Sequence, residues 1–375
     1  MKKNKLFAIF LAVSFLTSGC VGLEELSEVT PNQPQSDNGN DTVKSTTNQL
    51  SNDFYRALIT DGKYLPSQSR GATLSLNSGY NLRNFETGLL AISKKVFPTD
   101  QYFFREGQVI ESATVYEWIN RYSEDNPDGL NPATNGETDP AKYEPMYLAQ
   151  VLEQDYMIQT ENNYELGGIS IGLAMNSVNP LVTDAAGIPA TIPDDVLIQK
   201  GKEMANVILT RLRQNDGLKN VPIVFGIFKQ EREDNIGGGV FLTEATSVEG
   251  TEVKNWSKLN EKIVILPLIK GDPTEESSSF ENFKSQVQNF FPNLSGVTAK
   301  IHYTDDVPDK MVVTIMTQFY GESEIIAFAQ HVTDVANKYL PKKINVEVRI
   351  MSVNGVEAFL LQDVNEGNFS YHVFD

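Results

Sequence analysis

The chain holds a single cysteine, Cys20. No disulfide can close within it and no cysteine-rich metal site can form, so its fold must be held by buried apolar surface. With 375 residues, 40% of them hydrophobic, it can supply one large or two medium domains. The formal charge of −18 repels phosphate backbones, which excludes nucleic acid as a partner.

The position of that cysteine is informative. Met1 to Lys5 carries three lysines, Leu6 to Leu16 carries no charge, and Thr17-Ser18-Gly19 leads into Cys20. A basic start, a short apolar run and small residues before a cut describe an export signal over residues 1–19. The apolar run is too short to span a bilayer, which takes about 20 residues. Gly19-Cys20 resembles the bacterial lipobox, where the cysteine thiol takes a diacylglycerol and the chain is cut just before it. Thr17 stands where that motif usually has Leu, and Leu16 lies one residue further back. The expected membrane partner is therefore a lipid on Cys20. Loss of three lysines with the signal leaves the remainder still more acidic.

Residues 20–50 are dominated by Asn, Gln, Ser, Thr, Asp and Pro, without an aromatic residue. They read as a solvated tether, and the folded body is expected to begin near Asp53-Phe54-Tyr55. Leu82, Phe85, Leu89, Ile92 and Val96 recur at helical spacing up to Pro98. Ser112 is expected to cap a second helix burying Val115, Trp118, Ile119 and Tyr122. Residues 146–158 and 169–175 read as strands. The Ala-, Gly- and Pro-rich stretch 182–191 suggests a boundary between subdomains at 51–190 and 191–375.

Beyond residue 190 the order helix–strand–strand appears three times, with helices on Leu197 to Leu212, Phe280 to Phe290 and Ile325 to Tyr339. An extra strand is expected over 263–269, and Asn354-Gly355 reads as a hairpin turn. The fold class is α+β, with mixed or antiparallel sheets and helices on one face.

Enzyme signatures are scarce. His302, His331 and His372 show no metal-ligand spacing. Gly237-Gly238-Gly239 lacks the Gly-Lys-Ser/Thr of a phosphate loop and suits a hairpin. In SEDNPDGLNPATN (123–135), Glu124, Asn126, Asp128 and Gly129 mimic a calcium loop, but Asn135 stands where the bidentate Glu belongs. No metal or cofactor is expected. Tyr102, Phe103 and Arg105, with Trp118, form an aromatic and basic set that can line a ligand groove or fill a core.

Three stretches carry a resemblance: LSNDFYRALITDGKYLPSQSRG (50–71), NFETGLLAISKKVFPTDQYFFREGQ (84–108) and SVNGVEAFLLQD (352–363). With the signal region they resemble the CamS family of Gram-positive lipoproteins, precursors of a peptide sex pheromone. The resemblance implies that lipoprotein signal peptidase and then an intramembrane protease release a heptapeptide from the signal peptide. The matching segment is Ala8-Ile9-Phe10-Leu11-Ala12-Val13-Ser14. Its Ala-Ile-Phe start and Ser end follow the family's peptide, and Leu11-Ala12-Val13 departs from it. The resemblance implies a non-enzymatic surface lipoprotein but supplies no activity for the body. Two other readings stay open. The body could be an envelope enzyme, which needs a pocket with convergent polar groups of perturbed ionisation. Alternatively, residues 8–14 could be an export core and nothing more.

Overall fold

In the computed structural model of the chain, the structure describes residues 42–374 apart from 70–75, 138, 140–141, 162, 184, 269–273, 291–295 and 365–366. The signal segment, Ala8 to Ser14, Gly19 and Cys20 lie outside the described residues.

Where the tether was expected to continue, β1 (Val43–Ser45) already pairs antiparallel with β2 (Arg56–Thr60). Polar composition hid this strand, because it sits at the edge of a sheet and buries little. Helix α1 (Gly79–Ser93) starts where the Ser78 side chain accepts the Asn81 N–H, and it buries Phe85, Leu89 and Ile92. After β3 (Phe103–Glu106) comes α2 (Ser112–Ile119). Ser112 is its first residue rather than its cap, since its hydroxyl donates to the Gln68 carbonyl instead. Tyr122, expected inside, is 53% exposed because the helix stops before it.

Two long strands follow, β4 (Leu148–Gln159) and β5 (Tyr164–Asn176), and then a small hairpin of β6 (Val178–Thr183) and β7 (Pro189–Thr191). Next come α3 (Asp194–Leu212), β8 (Ile223–Gln230), β9 (Val240–Ser247) and β10 (Ser257–Lys258). Asp194 and Asp195 occupy the first turn of α3, where the helix dipole favours negative charge.

These strands form an eight-stranded sheet ordered β1-β2-β3-β4-β5-β8-β9-β10. It draws strands from both sides of residue 190, and β5 and β8 are bonded in parallel. The expected boundary at 190 therefore runs through a sheet. The Gly/Pro-rich stretch that suggested it is the β6–β7 hairpin, with Gly187 at φ 76°.

The chain passes to a second sheet only at β11 (Glu261–Leu266). Helix α4 (Glu275–Phe290), β12 (Gly296–Thr304), β13 (Val307–Met316), α5 (Glu322–Tyr339), β14 (Asn345–Ser352), β15 (Gly355–Gln362) and β16 (Ser370–Val373) complete it. Six strands lie in sequence order, β11 to β16.

The expected helix–strand–strand rhythm is present and has a topology. In the first sheet, hairpin β4–β5 joins hairpin β8–β9 through α3, with a parallel β5–β8 seam. In the second, hairpin β12–β13 joins β14–β15 through α5, with a parallel β13–β14 seam. A parallel seam needs a crossover connection, and a helix of this length is the usual one.

The burial patterns separate the two sheets. Along β12 buried and half-buried residues alternate, as expected when helices cover one face. Along β4, β5 and β8 nearly every position is buried, because α1 packs on one face and α3 on the other. One-sided helix cover thus holds for the second sheet and not for the first. The two faces of β5 differ in size. Ile169, Ile171, Leu173 and Met175 meet the α3 side, while Gly168, Ser170, Gly172 and Ala174 let α1 approach closely. Ser93 on α1 and Ser170 lie 2.5 Å apart, oxygen to oxygen.

Candidate functional site

The strongest polar constellation among the described residues lies where β3 pairs with β4. Register places Arg105 opposite Asp155. Asp155 Oδ2 accepts Arg105 Nη2–H at 2.7 Å, Nε–H at 3.2 Å and the Gln108 N–H at 3.3 Å. Two residues earlier on the same strand face, Glu153 accepts the Val109 N–H at 2.9 Å and the Ile110 N–H at 2.7 Å. Loop 107–110 is thereby clamped onto β4 by two carboxyl groups. Gly107 is required there, because a Cβ would stand 2.6 Å from the Glu153 side chain.

Both carboxyl groups are sealed, Glu153 at 1% exposure and Asp155 at 0%. Burial pushes Glu153 well above the usual carboxylate range, and the neighbouring Asp155 pushes it further. Asp155 is also raised by burial, against the opposing pull of Glu153 and Arg105. Asp155 Oδ1 is buried with no other donor among the described residues, so it is the natural acceptor for a proton carried by Glu153. The pair behaves as one protonated and one ionised group held against Arg105.

This is perturbed ionisation without access. A cleft of about 220 Å³, lined by Phe104, Glu106, Leu152 and Gln154 among others, opens on the opposite face of β4. What the pair can do chemically is hold a loop and store a proton.

The aromatic and basic candidates from the sequence do not line one groove. Tyr102 packs on Phe97, with ring centroids 5.2 Å apart, on the α1 side of the sheet. Phe103 is buried beneath the Arg56 guanidinium, 4.2 Å from its ring centroid, and against Tyr164. Arg105 belongs to the carboxyl pair, and Trp118 is 4% exposed in the α3-side core, with Arg211 over its ring. Only Phe103 and Arg105 share a strand face. Glu153 and Asp155 were missed at the sequence level, although LEQD within an apolar strand places two acids on one face.

The histidines are separate. His331 stacks on Phe290 at 4.4 Å and His372 packs against Phe374. His302 lies with Glu261 Oε2 3.9 Å from its Nε2 and Asp309 Oδ1 2.8 Å from its Nδ1. Glu261 and then Asp309 hold its imidazolium form and raise its pKa against the opposing effect of burial. A histidine raised on folding stabilises fully below its unfolded pKa, about 6.5, and that stabilisation fades as pH climbs through the folded value. Urea midpoints of the chain and of His302→Gln are thus expected to differ at pH 6 and converge by pH 9. The gap is at most about 1 kcal/mol, since the cluster is partly exposed. Equal midpoints at pH 6 would remove His302 from the balance.

Two helix-bridged hairpin modules, each closed on its own core, define a mixed α+β body in which the buried Glu153–Asp155 pair holds a loop. The chain belongs to the CamS sex pheromone cAM373 precursor family, whose profile matches residues 64–368. It is 38% identical to the sex pheromone precursor from Lactobacillus salivarius subsp. salivarius, with a TM-score of 0.83 over 89% of this chain and 99% of that one. It is 34% identical to the C-terminal domain of the sex pheromone staph-cAM373 precursor from Staphylococcus aureus, with a TM-score of 0.67 over 80% and 99%. No curated protein matches the chain. Membership in a pheromone-precursor family points to a surface-associated protein. No described helix is long and apolar enough to cross a membrane.

Proposed function

We propose that this chain is a membrane-anchored surface lipoprotein whose signal peptide yields the heptapeptide AIFLAVS, residues 8–14, and whose body binds a partner without catalysis. Membership in the family of pheromone precursors carries the reading. The sole cysteine, placed directly after Ser18-Gly19, supports lipidation and cutting before Cys20. Acyl chains on that thiol contribute about 0.8 kcal/mol per buried CH₂, so two or three long chains suffice for stable anchoring. Lipoprotein signal peptidase and an intramembrane protease are the processing partners of this reading. The sealed state of Glu153 and Asp155 takes this pair out of acid–base catalysis, since a reacting acid or base needs substrate within hydrogen-bond reach.

Two measurements test the reading separately. Cys20→Ala is expected to move the protein from the membrane fraction into the medium; retention at wild-type level would overturn the anchor. Synthetic AIFLAVS is expected to induce clumping and plasmid transfer in responder cells at nanomolar to micromolar doses, and Phe10→Ala in the peptide to weaken it about tenfold or more. Silence at micromolar doses would leave residues 8–14 an export core only.

A further inference from the structure

The ligand class of the body is legible where the first sheet's helix α1 meets the open face of the second sheet. Lys300 on β12 stands opposite Val312 on β13, which stands opposite Glu347 on β14, and Arg349 stands opposite the next outward residue, Thr314. Lys300 and Arg349 therefore share the face that α4 and α5 leave uncovered. Tyr80, in the first turn of α1, closes over this face with its ring centroid 3.8 Å from Lys300 Nζ. Arg83, one turn further along α1 and exposed, is near enough for its charge to act on Lys300.

The charges here do not balance. Arg349 is paired with Glu347 at 2.5 Å. Among the described residues neither Lys300 nor Arg83 forms an ion pair, in a chain that carries an excess of acids. Lys300 is half-buried, and burial, with Arg349 and Arg83 beside it, pulls its pKa down to about 8. Stacking on Tyr80 explains where the ammonium sits. It does not explain three cations gathered around a single carboxylate, Glu347, which balances Arg349 alone. The missing component of this arrangement is an anion.

We propose that the crease formed by Lys300, Arg83 and Arg349 beside Tyr80 binds a phosphate-class oxyanion. Guanidinium forks flanking an ammonium match the several acceptor oxygens of phosphate, whether it is free or the phosphodiester of a lipid headgroup. The site rests on the reading of the body as a binding module and names what it binds.

The test titrates the full chain carrying Cys20→Ala with sodium pyrophosphate, followed by calorimetry at constant ionic strength. Saturable binding is expected, weakened about tenfold by Lys300→Ala and by Arg83→Ala, and kept within a few fold by Lys300→Arg, which also controls for folding. Heat no greater than that of sodium chloride, or affinity unchanged in both alanine variants, would overturn the site. Flotation with phosphatidylglycerol and phosphatidylcholine vesicles separates the sources. Lys300-dependent binding to the first alone assigns the headgroup, and pyrophosphate binding without vesicle binding assigns a soluble phosphate. Release of inorganic phosphate during the titration would sink the non-catalytic reading and leave the site standing, whereas absence of binding does the reverse.

Discussion

Arg105→Met is expected to lower the unfolding free energy by about 3 kcal/mol at pH 8 and by clearly less at pH 5. The guanidinium supplies two of the three N–H donors to Asp155 Oδ2, and its removal leaves only the Gln108 amide on a carboxylate with no solvent contact. An unpaired charge in such a place protonates rather than staying ionised, which caps the cost and makes it depend on pH. Glu153 and Asp155 are both raised on folding, so the folded chain holds protons that the unfolded chain releases. The sign follows: above the unfolded carboxylate pKa, about 4, stability falls as pH rises toward the folded values. Arg105→Met raises Asp155 further and steepens that fall. Glu153→Gln replaces the shared proton with a permanent N–H donor, loses one of the two backbone N–H bonds that the carboxyl oxygens accept, and is expected to flatten the fall with pH. Urea unfolding of the three proteins at pH 5, 7 and 8 checks this. A cost below about 1 kcal/mol at pH 8, or a Glu153→Gln curve as steep as the parent's, would mean the pair is not coupled through Arg105.

That cluster also marks what could be read from the sequence and what could not. Helices α1, α3, α4 and α5 were legible because Phe85, Leu89 and Ile92, and their counterparts at Leu197, Phe280 and Ile325, repeat with a helix's own period. The turn before Gly355 was legible because its φ of 139° demands glycine. The two-faced burial of β5 was not, since Gly168, Ser170, Gly172 and Ala174 look permissive in sequence and acquire meaning only when α1 lies across them. Short edge strands such as β1 and β10 carry too few buried residues to make a pattern. Arg105 drew attention as a neighbour of aromatics, but its partner stands fifty residues away, and only the β3–β4 register brings them together. The Lys300 crease is assembled from three separate elements, none of which reads as basic by itself.

The second large effect is expected where α1 crosses β5. Phe85 is fully buried, lying 5.0 Å from Phe228 and 5.9 Å from Phe241 between ring centroids. Phe85→Ala should cost about 3–5 kcal/mol, through lost apolar burial and a cavity that a helix lying on a sheet cannot collapse. Gly172→Ala is the complementary change, because its new Cβ would stand 2.6 Å from Phe85 Cε2 and 3.2 Å from Leu89 Cδ2. Removing glycine from a strand gains stability through the unfolded chain, about 0.4–1 kcal/mol, so a net loss of about 1–3 kcal/mol measures the collision itself. The two changes are then coupled. In the double variant the methyl group enters the space left by the ring, and the combined cost should fall short of the sum by about 1 kcal/mol or more. Denaturant melts of the two single variants and the double give this coupling directly. Additive costs, or a stabilised Gly172→Ala, would show that α1 does not rest on the small-residue face of β5, and with it would go the distinction between a first sheet covered on both faces and a second covered on one.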